Sequence, residues 1–100
     1  MNRQLVAECI AANIERLRRE RGLSLGELSV RAELHRTHLG VLVRGKRLAR
    51  VDTIIKLAAA LELPPGALLT GVAWEPPSGR RPAGSFKAVG GVRAEPAPRA

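Results

Sequence analysis

The sequence predicts an all-α fold, a compact five-helix bundle over residues 1–70 followed by a Pro/Gly-rich extended tail over residues 71–100. Three observations carry this. Apolar residues recur every three or four positions through the first sixty residues, the spacing of a helix with one buried face. Ser24 and Glu27 form the S-x-x-E signature of a helix start. From Thr70 the composition changes, and the last thirty residues hold five of the seven prolines and five of the ten glycines.

The first helix is read from Gln4 to Arg21, with Val6, Ile10, Ile14 and Leu17 as its apolar stripe. Arg16, Arg18, Arg19 and Arg21 crowd its end, where cations suit the helix dipole, and Gly22 is placed to terminate it. The second helix starts at the Ser24–Glu27 capping box, and Leu23 and Leu28 fit a hydrophobic staple. It is expected to end near Ala32. The third helix is read from Arg36 to Arg44, with His35 as N-cap, Leu39 and Leu42 inward and Gly45 as terminator. The fourth spans Val51–Leu61, with Val51, Ile54, Ile55, Ala58 and Leu61 expected on its buried face. Pro64 and Pro65 stop it, and a short fifth helix over Pro65–Leu69 uses proline at its first position. In the tail, residues 85–89 read as one short strand anchored by Phe86; order is expected near Trp74 and Phe86, and disorder beyond Gly91.

One hundred residues make one domain-sized chain, and 45% hydrophobic composition supports a small core. No run of eighteen apolar residues is present, so no membrane partner is expected. Charged residues interrupt Met1–Arg21, so no secretory signal is expected either. A lone Cys9 fits a reducing, cytoplasmic setting. Catalysis has no visible basis: the chain contains no G-x-S-x-G, no phosphate-binding glycine loop and no H-E-x-x-H. His35 and His38 are three apart, but two imidazoles do not make a metal site, and Cys9 reads as a small core residue. No metal and no cofactor are therefore expected.

The net charge is +8, and its distribution is informative. Residues 1–70 hold 12 Lys and Arg against 7 Asp and Glu. Residues 34–51 contain Arg36, Arg44, Lys46, Arg47 and Arg50 and no acid, so the whole excess of that part sits in one segment. Two short helices joined by a brief turn, the second leading into a basic loop, are what places a helix against a phosphate-lined groove. A helix-turn-helix binding double-stranded DNA is the expectation.

The segments IERLRRERGLSLGELSVRAEL, the RT of HRTHL, RGKR and DTIIKLAAALELPPGALL follow one another at set spacings. Together they make about two-thirds of the chain resemble the Cro/lambda-repressor-like helix-turn-helix family, also called the xenobiotic-response-element family. The resemblance implies a five-helix lambda-repressor-like bundle and sequence-specific transcriptional regulation, commonly as a homodimer on palindromic sites. It places the start of the reading helix at His35–Arg36, with Arg36, Thr37, Gly40 and Val41 facing bases. Arg44, Gly45, Lys46 and Arg47 match the phosphate-touching loop, and His38 and Arg50 are further candidates to touch phosphate. The chemistry agrees: arginine can offer two donors to guanine, and Val41 and the Thr37 methyl can meet thymine.

The chain departs from the family at five places. Leu25 stands where a phosphate-contacting glutamine is usual, and Ser29 replaces a small alanine. Glu33 occupies a turn position that commonly needs a left-handed glycine, at a cost of about 1 kcal/mol. Val43 replaces a glutamate, and Leu48–Ala49–Arg50 lacks the usual helix cap. Leu25, Gly40 and Val41 lack polar groups that the family often uses, and they keep a second reading in play, a protein-interaction module such as an antitoxin or accessory regulator. It would act through the tail, with Trp74 and Phe86 as partner-binding anchors. Those two aromatics either fold back over the small aliphatic core or pack on a partner.

Overall fold

The computed structural model describes residues 2–89. The disorder expected beyond Gly91 falls outside the described residues. Four α-helices run in chain order: α1 Arg3–Glu20, α2 Leu25–Ala32, α3 Arg36–Val43 and α4 Val51–Ala60. A 3₁₀ helix, Pro65–Leu69, follows, and then two antiparallel strands, β1 Val72–Glu75 and β2 Ser85–Ala88. The fold is therefore mostly helical, but neither all-α nor built of five α-helices. Five residues starting with proline close one tight turn and are too short to settle into an α-helix.

The core is aliphatic, as the sequence dictates. Ile14, Leu17, Leu28, Leu39, Leu42, Leu57, Leu61 and Leu68 are almost wholly buried and bring all four helices and the 3₁₀ turn together. The capping box at Ser24 is complete: Ser24 Oγ accepts from Glu27 N at 3.0 Å, and Glu27 Oε1 accepts from Ser24 N at 2.8 Å. The buried Ser29 hydroxyl donates to Gly26 O at 2.8 Å, so its burial leaves no polar group stranded.

Every α-helix ends the same way. Gly22, Glu33, Gly45 and Glu62 each take a left-handed conformation. The next residue donates back across the last turn, Leu23 to Arg18 O, Leu34 to Ser29 O, Lys46 to Val41 O and Leu63 to Ala58 O. This is the Schellman closure, which satisfies orphan carbonyls and turns the chain sharply. Two of the four ends use glutamate where glycine fits without strain.

The buried face of α4 differs from the one periodicity predicts. Thr53, Ile54, Leu57, Ala58 and Ala60 are buried, whereas Val51 and Ile55 are 76% and 49% exposed. Successive residues turn by about 100°. With Leu57 and Leu61 centred on the core, Ile55 points outward and Val51 lies on the flank.

The tail folds back. β1 and β2 pair in the register Val72↔Ala88, Ala73↔Lys87, Trp74↔Phe86 and Glu75↔Ser85. The hairpin packs on α1, with Val72 and Phe86 against the core. Trp74 and Phe86 meet edge to face at 4.9 Å, and Glu75 lies within 3.2 Å of Arg81 and 3.7 Å of Lys87. Among the described residues no helix is long and apolar enough to cross a membrane.

Candidate nucleic-acid interface

The site is built on α3. Glu33, at φ 54° and ψ 46°, reverses the chain after α2. His35 then caps α3, its Nδ1 accepting from Thr37 N at 3.0 Å. Leu39 and Leu42 anchor the helix inward, at 0% and 2% exposure. The opposite side is thereby turned to solvent. By the 100° step, Thr37 and Arg44 stand at its centre within about 20° of each other, and Gly40 and Val41 lie beside them. Arg36 occupies the edge nearest the turn and His38 the far edge. Thr37, Arg36 and Arg44 are exposed, while Gly40, Val41 and His38 are half-buried.

The basic loop follows directly. Lys46, Arg47 and Arg50 are exposed. Arg50 is the N-terminal flank of α4 and makes no side-chain cap, and its Nε lies 3.3 Å from Asp52 Oδ1 in an exposed pair. Such a pair contributes little to stability and leaves the guanidinium free to exchange partners. Among the described residues no carboxylate pairs with Arg36, Arg44, Lys46 or Arg47.

Gly45, expected at the phosphate contact, is held against α1. It is buried, its N–H donates to Leu42 O, and its carbonyl accepts from Gln4 Nε2 at 3.0 Å. A Cβ there would lie 3.3 Å from Glu8 Cγ and 3.5 Å from the α1 backbone at Glu8, on top of a φ of 69°. Glycine thus lets the loop seat on α1, and its backbone groups are already engaged. Gln4 was not identifiable as part of the site from sequence, because it meets Gly45 across 41 residues and shares no motif with it.

Leu25, which stands where a polar contact was expected, packs partly buried against the core. Among the described residues no three His, Cys, Asp or Glu side chains cluster as a metal site would require. Trp74 and Phe86 sit on the hairpin at α1 rather than beside α3. Phe86 is used in packing, and Trp74 remains 46% exposed.

The sequence and the fold both have counterparts among known proteins. Residues 14–68 match the family described as helix-turn-helix, HTH_3. An uncharacterised HTH-type transcriptional regulator, y4dJ of Sinorhizobium fredii, is 40% identical over 52 residues, 52% of this chain and 68% of its own. The restriction-modification controller protein C.AhdI of Aeromonas hydrophila superposes with a TM-score of 0.60 at 32% identity, over 62% of this chain and 94% of that one. A hypothetical transcription factor from Neisseria, NHTF, gives 0.62 at 30% identity, over 64% and 74% of the two chains.

Proposed function

The chain belongs to the HTH_3 helix-turn-helix family, and from that membership we propose how it handles DNA. It is a DNA-binding transcriptional regulator. Its α3 lies in the major groove of double-stranded DNA. Arg36, Thr37 and Val41 meet base edges, and Gly40 keeps the helix surface low between them. Lys46, Arg47, Arg50 and His38 hold phosphates, and Gly45 shapes the loop that presents them. The observation that carries this reading is the uncovered cationic side of α3, whose arginines no carboxylate among the described residues engages. The reading requires neither a cofactor nor a catalytic step.

The regulator acts as a homodimer in this proposal. Val51, Ile55, Leu48 and Leu69 are exposed around a groove of about 370 Å³ whose floor includes Val6 and Ile10. No charged side chain lines it, so two chains of net charge +8 meet there with least repulsion. Exposed apolar patches of this kind mark association sites. Leu48 lies in the basic loop, between Arg47 and Arg50, so the patch adjoins the proposed phosphate contacts, and a two-fold pairing there supplies two reading helices for a palindromic site.

The interaction-module alternative is not favoured, because the relatives are transcription regulators. Phe86 is turned into the core, which leaves half-exposed Trp74 as what the tail offers a protein partner. Selection of bound duplexes from a random pool tests the proposal. Enrichment of one palindrome, its half-sites about a helical turn apart, is the expected result. Failure to retain any duplex at low salt would overturn it.

A further inference from the structure

Gly40 sits mid-helix at a position where glycine costs about 1 kcal/mol relative to alanine. Its φ lies outside the left-handed range, so no turn requires it. What the absent side chain leaves is space, and Arg44 occupies it. A Cβ built on Gly40 would come 3.3 Å from Nη1 of Arg44. The guanidinium therefore folds back along α3, the direction helical side chains prefer, instead of reaching off the end of the helix. It is exposed, and no acceptor among the described residues holds its donors. Arg44 shares the centre of the outward face with Thr37, whereas Lys46 and Arg47 lie in the loop beyond the helix.

We propose that Arg44 is a base-reading residue whose guanidinium, seated in the gap at Gly40, recognises guanine in the major groove. Its position at the end of α3 marks it for phosphate contact, but its side chain does not follow that position. A guanidinium held on the reading face beside Gly40, rather than off the end of the helix, is placed to turn its two-donor edge to guanine O6 and N7. Phosphate contact calls for donors at the groove rim, where Lys46 and Arg47 stand. Glycine at 40 and arginine at 44 then act as one specificity unit. The inference rests on α3 being the reading helix.

The test compares duplexes selected by the wild type, Arg44→Ala, Gly40→Gln and Lys46→Ala, together with affinity for random duplex across salt. Gly40→Gln is uncharged, fills the gap and favours the helix, so loss of fold does not confound it; circular dichroism confirms this. Arg44→Ala and Gly40→Gln should each lose guanine preference at the same base pair of each half-site, by roughly ten- to a hundredfold. Lys46→Ala should keep that preference and weaken all sequences alike. Uniform weakening by Arg44→Ala, with the salt slope lowered by about one and guanine still selected, would return Arg44 to the phosphates and overturn the inference. A wild type that binds DNA without selecting any sequence would overturn the proposed base reading as a whole, a failure visible before any variant is made.

Discussion

Asn13 on α1 fastens the end of the bundle to Leu68. Its Nδ2 donates to Leu68 O and to Thr70 O, each at 3.0 Å, from a side chain only 1% exposed, while Arg16 donates to its Oδ1. One amide thus satisfies two carbonyls at the end of the 3₁₀ helix, where the chain turns into the hairpin. Replacing Asn13 with leucine would keep the branching at Cγ and the number of side-chain heavy atoms, and would strand both carbonyls. The expected cost is about 2–3 kcal/mol, read as a fall in Tm of roughly 10 °C or more by thermal denaturation. A loss below about 0.5 kcal/mol would mean that the carbonyls are satisfied by something other than Asn13.

Glu33 is the joint between α2 and α3, and its left-handed conformation is strained for a residue with a side chain. Glu33→Gly should stabilise the fold by about 1 kcal/mol. Urea denaturation checks this: the midpoint should rise with the slope unchanged. An unchanged or lowered midpoint would show that the interactions around Glu33, including Lys56 Nζ on its carbonyl at 3.4 Å, already relieve the strain.

The sequence makes some of this plain and hides the rest for physical reasons. The capping box at Ser24 is a local hydrogen-bond pattern, and the stripe through Val6, Ile10, Ile14 and Leu17 and the exposed Arg36 and Thr37 follow from helical periodicity. α4 misleads because Ile54 and Ile55 are adjacent and both apolar, so periodicity alone does not decide which one points inward. The strand at Val72–Glu75 carries too little signal by itself, because it exists through pairing with residues ten to sixteen positions away. Gln4 on Gly45 is equally non-local. The fold of Arg44 over Gly40 is a side-chain conformation, and no motif encodes it.

The acid limb of stability should depend on Glu15. Arg18 donates to it from Nη2 at 2.8 Å and from Nε at 3.0 Å, and this holds its carboxyl below the usual value of 4.5 against a smaller opposing effect of burial. A carboxylate depressed in the folded state contributes stability at pH above its unfolded value, and that contribution is lost as pH falls through the folded one. Stability should therefore decline below about pH 4.5, and Glu15→Gln should flatten part of that decline. Glu27, lowered by hydrogen bonds from Ser24, acts with the same sign. Parallel Tm curves for wild type and Glu15→Gln between pH 3 and 7, a range chosen on the order of the carboxylate titration, would refute the assignment.

The apolar face makes a prediction about assembly. Val51 and Ile55 are exposed in the protomer, so the double change Val51→Glu and Ile55→Glu should leave the fold intact. Sedimentation should show a monomer where the wild type is a dimer, and affinity for a palindrome should fall by roughly a hundredfold as the two half-sites bind separately. A double variant that still dimerises would move the interface elsewhere, with the exposed Trp74 hairpin as the next place to look.

The central claim, that the outward side of α3 reads bases while the loop after it holds phosphates, is tested most directly by fluorescence anisotropy across salt. Wild type, Arg36→Ala and Lys46→Ala would be titrated against a selected duplex and a random one. Arg36→Ala should cost about 1–3 kcal/mol on the selected duplex and little on the random one. Lys46→Ala should weaken both alike and lower the salt slope by about one. If both variants lose the same affinity on both duplexes, or if wild-type binding ignores salt, the division of labour is wrong.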